Sequence, residues 1–238
     1  MIEFFHTILF VPIYNLLIYF VDIIPGGDWG LAVVAVTIIV KAITAPLSFS
    51  ALKTQRAMKV LEPKLNELKE KYKDDKEAQA KEMFALYKEN GVKPFSSILL
   101  VFIQIPVLIS LYYVFFKKSL TEIDTSILYS FVPVPEHISP LFLGFITIAG
   151  SSLILAVIAA GTQFLQARYA IPVPPKGDGT SMQAEFGRAM ALQARIVLPV
   201  IIGVVAYTSG AIALYFITSN LVGMVQEFIV RKKFPKTV

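Results

Sequence analysis

Cysteine is absent from the 238-residue chain. That excludes structural disulfides, thiolate metal ligands, a cysteine nucleophile and the lipid-bearing cysteine of a lipoprotein. Histidine is nearly absent: His6 and His137 are the only two, and both fall outside the long apolar runs. Two loop histidines build neither a Ser-His-Asp set nor a His-Glu metal site, and no glycine-rich phosphate loop is found, so no metal, no cofactor and no enzymatic activity are expected. Residues 1–29 hold no lysine or arginine. The basic start of a secretory signal and the arginine-rich pattern of a transit peptide are therefore both missing. Carboxylates are scarce where the chain is most apolar, and across the five candidate spans named below the only one is Glu227. This argues against a proton relay of Asp, Glu and His side chains through a membrane.

Apolar residues, in contrast, are abundant. They make up 55% of the chain with a mean hydropathy of +0.66, more than one soluble core of this size requires. A span must cross about 30 Å of hydrocarbon, and five segments are long and apolar enough: 30–52, 95–116, 140–166, 192–208 and 211–230. An all-α polytopic membrane protein is expected. The first 24 residues are also apolar but are interrupted by Pro12, Asn15 and Asp22, and Glu3, Thr7, Tyr14 and Asp22 fall loosely on one side of a helical wheel. Residues 1–29 are thus read as an extracytoplasmic interfacial helix and turn, with Trp29 as an aromatic anchor at the membrane surface.

The cations orient the chain. Eleven Lys and Arg lie in 53–93, four in 168–195 and four in 231–238, against two in 117–139. By the positive-inside rule the richer segments and the C-terminus are cytoplasmic; five spans then leave the N-terminus outside, whereas a further crossing by residues 4–24 would place it inside and change nothing else. Within 53–93, Met58, Leu61, Leu65, Leu68 and Tyr72 repeat at helical steps, and Ala78, Met83, Phe84 and Tyr87 do so after Asp74-Asp75. Two short helices with apolar stripes and a tight connection predict a cytoplasmic antiparallel hairpin, with Pro63 kinking or restarting the first helix. Eleven basic against eight acidic residues there fits a solvated, ion-paired face better than a nucleic-acid site. The formal charge of +5 is too small to suggest nucleic acid by itself. The 172–180 run is rich in Pro and Gly and reads as a link, and 231–238 as a basic cytoplasmic tail.

One residue breaks the apolar pattern at depth. Lys41 stands twelve positions after Trp29 and twelve before Lys53, about 18 Å from either at helical rise. A charge at that depth costs about 2.5–3.5 kcal/mol on insertion scales, so it marks a functional site by default. Thr37, Thr44 and Ser48 flank it; Gln104, then Thr162, Gln163 and Gln166, then Ser219 and Asn220 are the polar residues of the later spans. Singly, each reads as a helix-to-helix hydrogen bond. Together with a cation they can line a hydrated cavity.

Asp28-Trp-Gly30, TIIVKAITAPL at 37–47, QRAMKVLEPKLNELKEKYKDDKE at 55–77, MFALYKENGVKP at 83–94 and FIQIPVLISLYYVF at 102–115 closely resemble the YidC/Oxa/Alb family of membrane protein insertases, in a short bacterial form. The resemblance covers about residues 12–230 and implies five spans at 30–230 around a hydrophilic groove. In such a groove Lys41 takes the place of a typical arginine, and Thr37, Thr44, Gln104, Thr162, Gln163, Gln166, Phe216, Ser219 and Asn220 line the path of single- or double-spanning clients. It also implies recruitment through Arg56, Lys59, Lys64, Lys69 and Lys71 of the hairpin. The implied partners are nascent membrane proteins, lipid, the ribosome, the signal recognition machinery and the Sec translocon. Two departures stand out: lysine lacks the bidentate fork of arginine, and Leu214-Tyr-Phe216 stands where the family often has Leu-Tyr-Trp. A small channel or anion transporter is the alternative, in which Lys41 binds an anion; no inverted repeat supports it. A passive assembly factor is a third reading.

Overall fold

The computed structural model describes residues 6–92, 102, 105, 107–110, 113, 123–170 and 182–233, with side chains in the last stretch from Arg188 onward. Most of the 95–116 segment with Gln104, the 172–180 link and the end of the basic tail lie outside the described residues. The molecule is an all-α polytopic membrane protein. Among the described residues its longer α-helices are α1 (Val11–Ile23), α2 (Trp29–Lys71), α3 (Lys76–Glu89), α4 (Leu153–Ala170), α5 (Met182–Tyr207) and α6 (Gly210–Lys233), and its one sheet pairs β1 (Leu141–Phe142) with β2 (Ile146–Thr147). Five helical stretches among the described residues are long and apolar enough to cross a membrane: His6–Ile23, Trp29–Lys71, Leu153–Ala170, Arg188–Tyr207 and Gly210–Lys233.

The chain forms two compact units, one of Met1–Ala42 with Pro106–Met224 and one of Ile43–Ile105 with Val225–Val238. In the first, α1 is a core element. Pro12 sits where a π-helical turn at His6–Phe10 runs into α1, and Leu17, Ile18 and Val21 are buried. The polar wheel face expected there is not one exposed face: Tyr14 and Asn15 point inward whereas Asp22 is exposed. Asn15 Nδ2 donates to the Ile127 carbonyl at 2.8 Å, its Oδ1 accepts from Tyr129 N–H at 2.6 Å, and the Tyr14 hydroxyl accepts from Asp124 N–H at 2.8 Å. A buried amide with these partners is satisfied, and it bolts α1 to the 123–129 loop.

At Pro25–Gly27 the chain turns, with Gly27 in the left-handed region (φ 62°) and packed so closely on the His137 carbonyl that a Cβ has no room. Asp28 then starts α2. Its Oδ1 accepts from Leu31 N–H at 2.9 Å, capping the helix, and its Oδ2 accepts from Leu143 N–H at 2.7 Å. Trp29 N–H donates to Ser139 O at 3.2 Å, and Ser139 N–H to Gly27 O at 2.9 Å. Trp29 is buried, so it is a core residue rather than the surface anchor expected from its position. The third expected span, 140–166, is shorter as a helix: Pro140, Gly144 and Gly150-Ser-Ser152 break the run, a hairpin occupies 141–147, and α4 begins at Leu153. Beyond it α4 and α5 pack along each other.

In the second unit α2 runs on to Lys71 with Pro46 and Pro63 inside it, so of the kink or restart expected near Pro63 the restart does not occur. Leu61 and Leu65 on either side of that proline are both buried, with Met58, Met83, Leu86 and Tyr87 packed around them. That packing offsets the one lost backbone bond. Asp75 caps α3 by accepting from Ala78 N–H at 2.9 Å, and Gln79 Nε2 donates to Lys69 O at 2.9 Å.

Asp28→Ala removes a cap and a loop tether together, and is expected to lower stability in detergent by about 1–2 kcal/mol. Asp22→Ala, at an exposed site on α1, should stay within about 0.5 kcal/mol. Thermal unfolding of both variants checks the difference.

Candidate functional site

Polar side chains meet inside the first unit where α4 and α6 face each other. Thr162 and Gln166 are one turn apart on α4, and Ser219, Asn220 and Gly223 share a face of α6. Asn220 Nδ2 donates to Thr162 Oγ1 at 3.2 Å, while Thr162 donates in turn to its own helix at Ala159 O, 3.0 Å. Gln166 lies so close over Gly223 that its amide occupies the space a Cβ would need. On the α6 side of this seam Thr218, Ser219 and Asn220 are buried. Gln163 is half-buried on α4, and Phe216 is half-buried against the apolar core with its ring 5.3 Å from that of Tyr215.

On α2, Lys41 is half-buried in the stretch between Ile38 and Ile43, both of which are exposed. Thr37, one turn earlier, is buried and donates to Val33 O at 2.7 Å within its own helix. Thr44 belongs to the second unit, where its carbonyl accepts from Ser48 at 3.1 Å. The structure thus brings Thr162 to Asn220 and Gln166 to Gly223, and turns Thr37 back on its own backbone. The expected recruitment residues all sit on the second unit's part of α2: Lys59, Lys64 and Lys71 are exposed, Arg56 and Lys69 half-buried. The Lys71 ammonium lies 5.0 Å from the Tyr72 ring centroid, and Arg56 Nη1 is buried without a hydrogen-bond partner among the described residues.

Around the seam the surface is apolar. Leu153, Ile154 and Val157 of α4 and Val200, Ile201 and Val204 of α5 are all more than half exposed, an arrangement that water penalises and lipid does not. Among the described residues no cluster of three or more His, Asp or Glu is placed to hold a metal.

The sequence matches the 60Kd inner membrane protein family over residues 20–237. The chain belongs to the YidC/Oxa/Alb family. Among relatives in that family, the membrane protein insertase YidC of Clostridium tetani (strain Massachusetts / E88) is 31% identical over 208 residues, 87% of this chain and 84% of the relative. The membrane protein insertase YidC of Francisella tularensis subsp. novicida (strain U112) is 32% identical over 215 residues, 89% of this chain but 34% of the relative. The chain therefore spans about a third of that longer relative's length. Family membership and the exposed apolar helices together make it a multi-pass membrane protein.

The roles of Asp28 and Asn15 were not read from the sequence as site features. Asp28 directly before an apolar run carries an N-cap signal; Asn15, reaching across 112 and 114 positions, carries none. A double-mutant cycle on Thr162→Val and Asn220→Leu should give a coupling of about 0.6 kcal/mol, the usual worth of an interhelical hydrogen bond in a membrane. Gly223→Leu, which drives a side chain into Gln166, should cost about 1–3 kcal/mol in the same assay.

Proposed function

We propose that the chain inserts membrane proteins, helping single- or double-spanning clients into the bilayer through a positively charged hydrophilic groove that contains Lys41 and the α4–α6 seam. The observation that carries this reading is the pairing of Thr162 with Asn220, with Gln166 over Gly223, in a protein whose outer faces are apolar and whose relatives are named membrane protein insertases. Polar groups at that depth shorten the apolar distance that a client's polar tail has to cross, so its desolvation cost falls without nucleotide hydrolysis or covalent catalysis. The half-buried Lys41 ammonium attracts an acidic tail toward the groove. Where the outside is positive, the membrane potential adds about 2.3 kcal/mol per charge per 100 mV for such a tail moving outward.

In this reading residues 53–93 are a cytoplasmic helical hairpin, and Arg56, Lys59, Lys64, Lys69 and Lys71 meet the machinery that delivers clients. The N-terminus lies outside and the C-terminus inside. Contact with the ribosome, the signal recognition machinery or the Sec translocon belongs to the same proposal.

Reconstituted in liposomes, wild type and Lys41→Arg should protect a short acidic-tailed client from protease and Lys41→Ala should not; insertion no better than in empty liposomes overturns the reading. Since the chain has no cysteine, single substitutions report topology on a clean background. Thr7→Cys should react with an impermeant thiol reagent from outside intact cells, and Lys73→Cys only after lysis. Reaction of Thr7→Cys from inside alone would instead make His6–Ile23 a membrane crossing.

A further inference from the structure

The hairpin at 141–147 combines four features that a plain connecting turn does not need. First, its tip is strained: Leu143 has φ 54° and Gly144 φ 81°, with Phe145 N–H donating to Phe142 O at 3.3 Å. Two successive left-handed residues suit Asn-Gly or Gly-Gly, and a leucine is costly there. Second, the apolar side chains on either side of Gly144 are exposed, Leu143 at 52% and Phe145 at 73%; Phe131 of the preceding loop is 74% exposed.

Third, the base is rigid while the tip is bare. Leu141 pairs with Thr147 and Phe142 with Ile146, Asp28 Oδ2 accepts from Leu143 N–H at 2.7 Å, and the Phe142 ring lies against Gly30, where a Cβ would come within 2.6 Å of it. The two apolar tip residues are therefore held outward before any partner arrives. Fourth, the hairpin is continuous with the lipid-facing surface. No charged residue occurs from Ile138 to Ala167, and α4 begins six residues past β2 with the exposed Leu153 and Ile154. Irregular backbone does not persist in the hydrocarbon core, which places such a segment at the level of the headgroups.

We propose that the 141–147 hairpin, through Leu143 and Phe145 and together with Phe131, is a lipid anchor seated in the interfacial layer of the leaflet at the Trp29 end of the bundle. Trp29 itself is withdrawn into the core, and these residues take the part of its interfacial aromatic. The occupant is bilayer lipid. Aromatic and aliphatic tips in a stretch with no lysine or arginine from Ile123 to Ala167 fit the acyl–headgroup boundary by their apolar area and need no anionic lipid. The anchor fixes the depth of the α2 and α4 starts, because the same hairpin is tied to Asp28 and leads into Leu153. It does not depend on the insertase reading.

The chain has no cysteine, so Phe145→Cys and Phe131→Cys each offer one labelling site for an environment-sensitive fluorophore in phosphatidylcholine/phosphatidylglycerol liposomes. Lys73→Cys serves as the water-exposed control and Val157→Cys as the lipid-facing control on α4. Labels at 145 and 131 should be quenched several-fold more by lipid carrying a spin label near the headgroup than by one deep in the acyl chain, and several-fold less by aqueous iodide than the label at 73. Iodide quenching equal to that at 73 would overturn the anchor. Deep quenching equal to that at 157 would overturn the interfacial depth. Shielding from both quenchers would mean that protein covers the tip, and would overturn lipid as the occupant. Persistence of the lipid pattern in pure phosphatidylcholine is expected, and its loss there would overturn the apolar basis of the contact.

Discussion

The two oxygens of the Asp28 carboxylate do separate jobs, and much of the first unit depends on both being done at once. One oxygen closes the start of a 43-residue helix; the other holds the backbone of a hairpin more than a hundred positions away. A carboxylate accepting backbone N–H bonds in a buried place is satisfied only if both donors stay where they are. The helix carrying Lys41 and the segment leading into α4 therefore start from the same point. Asn15 makes a parallel tie, accepting and donating between α1 and the loop at 127–129. Between them these two side chains tie the adjoining α1 and α2 start to two segments more than a hundred positions away, at 127–129 and 143.

In the first unit the burial of polar and apolar groups is inverted relative to a soluble domain. Leucine, isoleucine and valine of α4 and α5 face outward, while Ser219, Asn220 and Thr37 are buried. Lipid supplies no water to satisfy a polar side chain, so serine, threonine and asparagine turn inward and bond to one another or to their own backbone. Thr37 and Thr162 each spend a hydrogen on a carbonyl of the preceding turn. Asn220 depends on Thr162 for its partner. A seam built this way tolerates partial hydration better than one packed with leucine, because each group already has hydrogen-bonding capacity to share with water.

The second unit follows ordinary rules. Its helices carry charged residues on exposed faces and bury a short stripe of Leu61 and Leu65 with Met58, Met83, Leu86 and Tyr87 around it. Glu227 is buried but is neutralised by Arg231 one turn on, at 2.9 Å. The proline at 63 is absorbed because the residues flanking it are the ones that pack.

Much was legible in the sequence because it concerns solubility and period. The helical class, the multi-pass character and the family follow from apolar runs, from cation placement and from motifs such as MFALYKENGVKP at 83–94. Lys41 stood out for the same reason, as one cation in an apolar run. The pairing of side chains far apart in the chain was not legible. Whether Thr162 meets Asn220, whether Gly223 makes room for Gln166, and whether Trp29 faces lipid or core depend on how helices rotate and pack, and hydropathy carries no information on rotation. The uncharged stretch from 140 to 152 shows the division clearly. By composition it reads as the beginning of a membrane helix. Pro140, Gly144 and Gly150-Ser-Ser152 break the run from within, and Asp28 and Gly30 on another element supply the hydrogen-bond acceptor and the space that the hairpin requires.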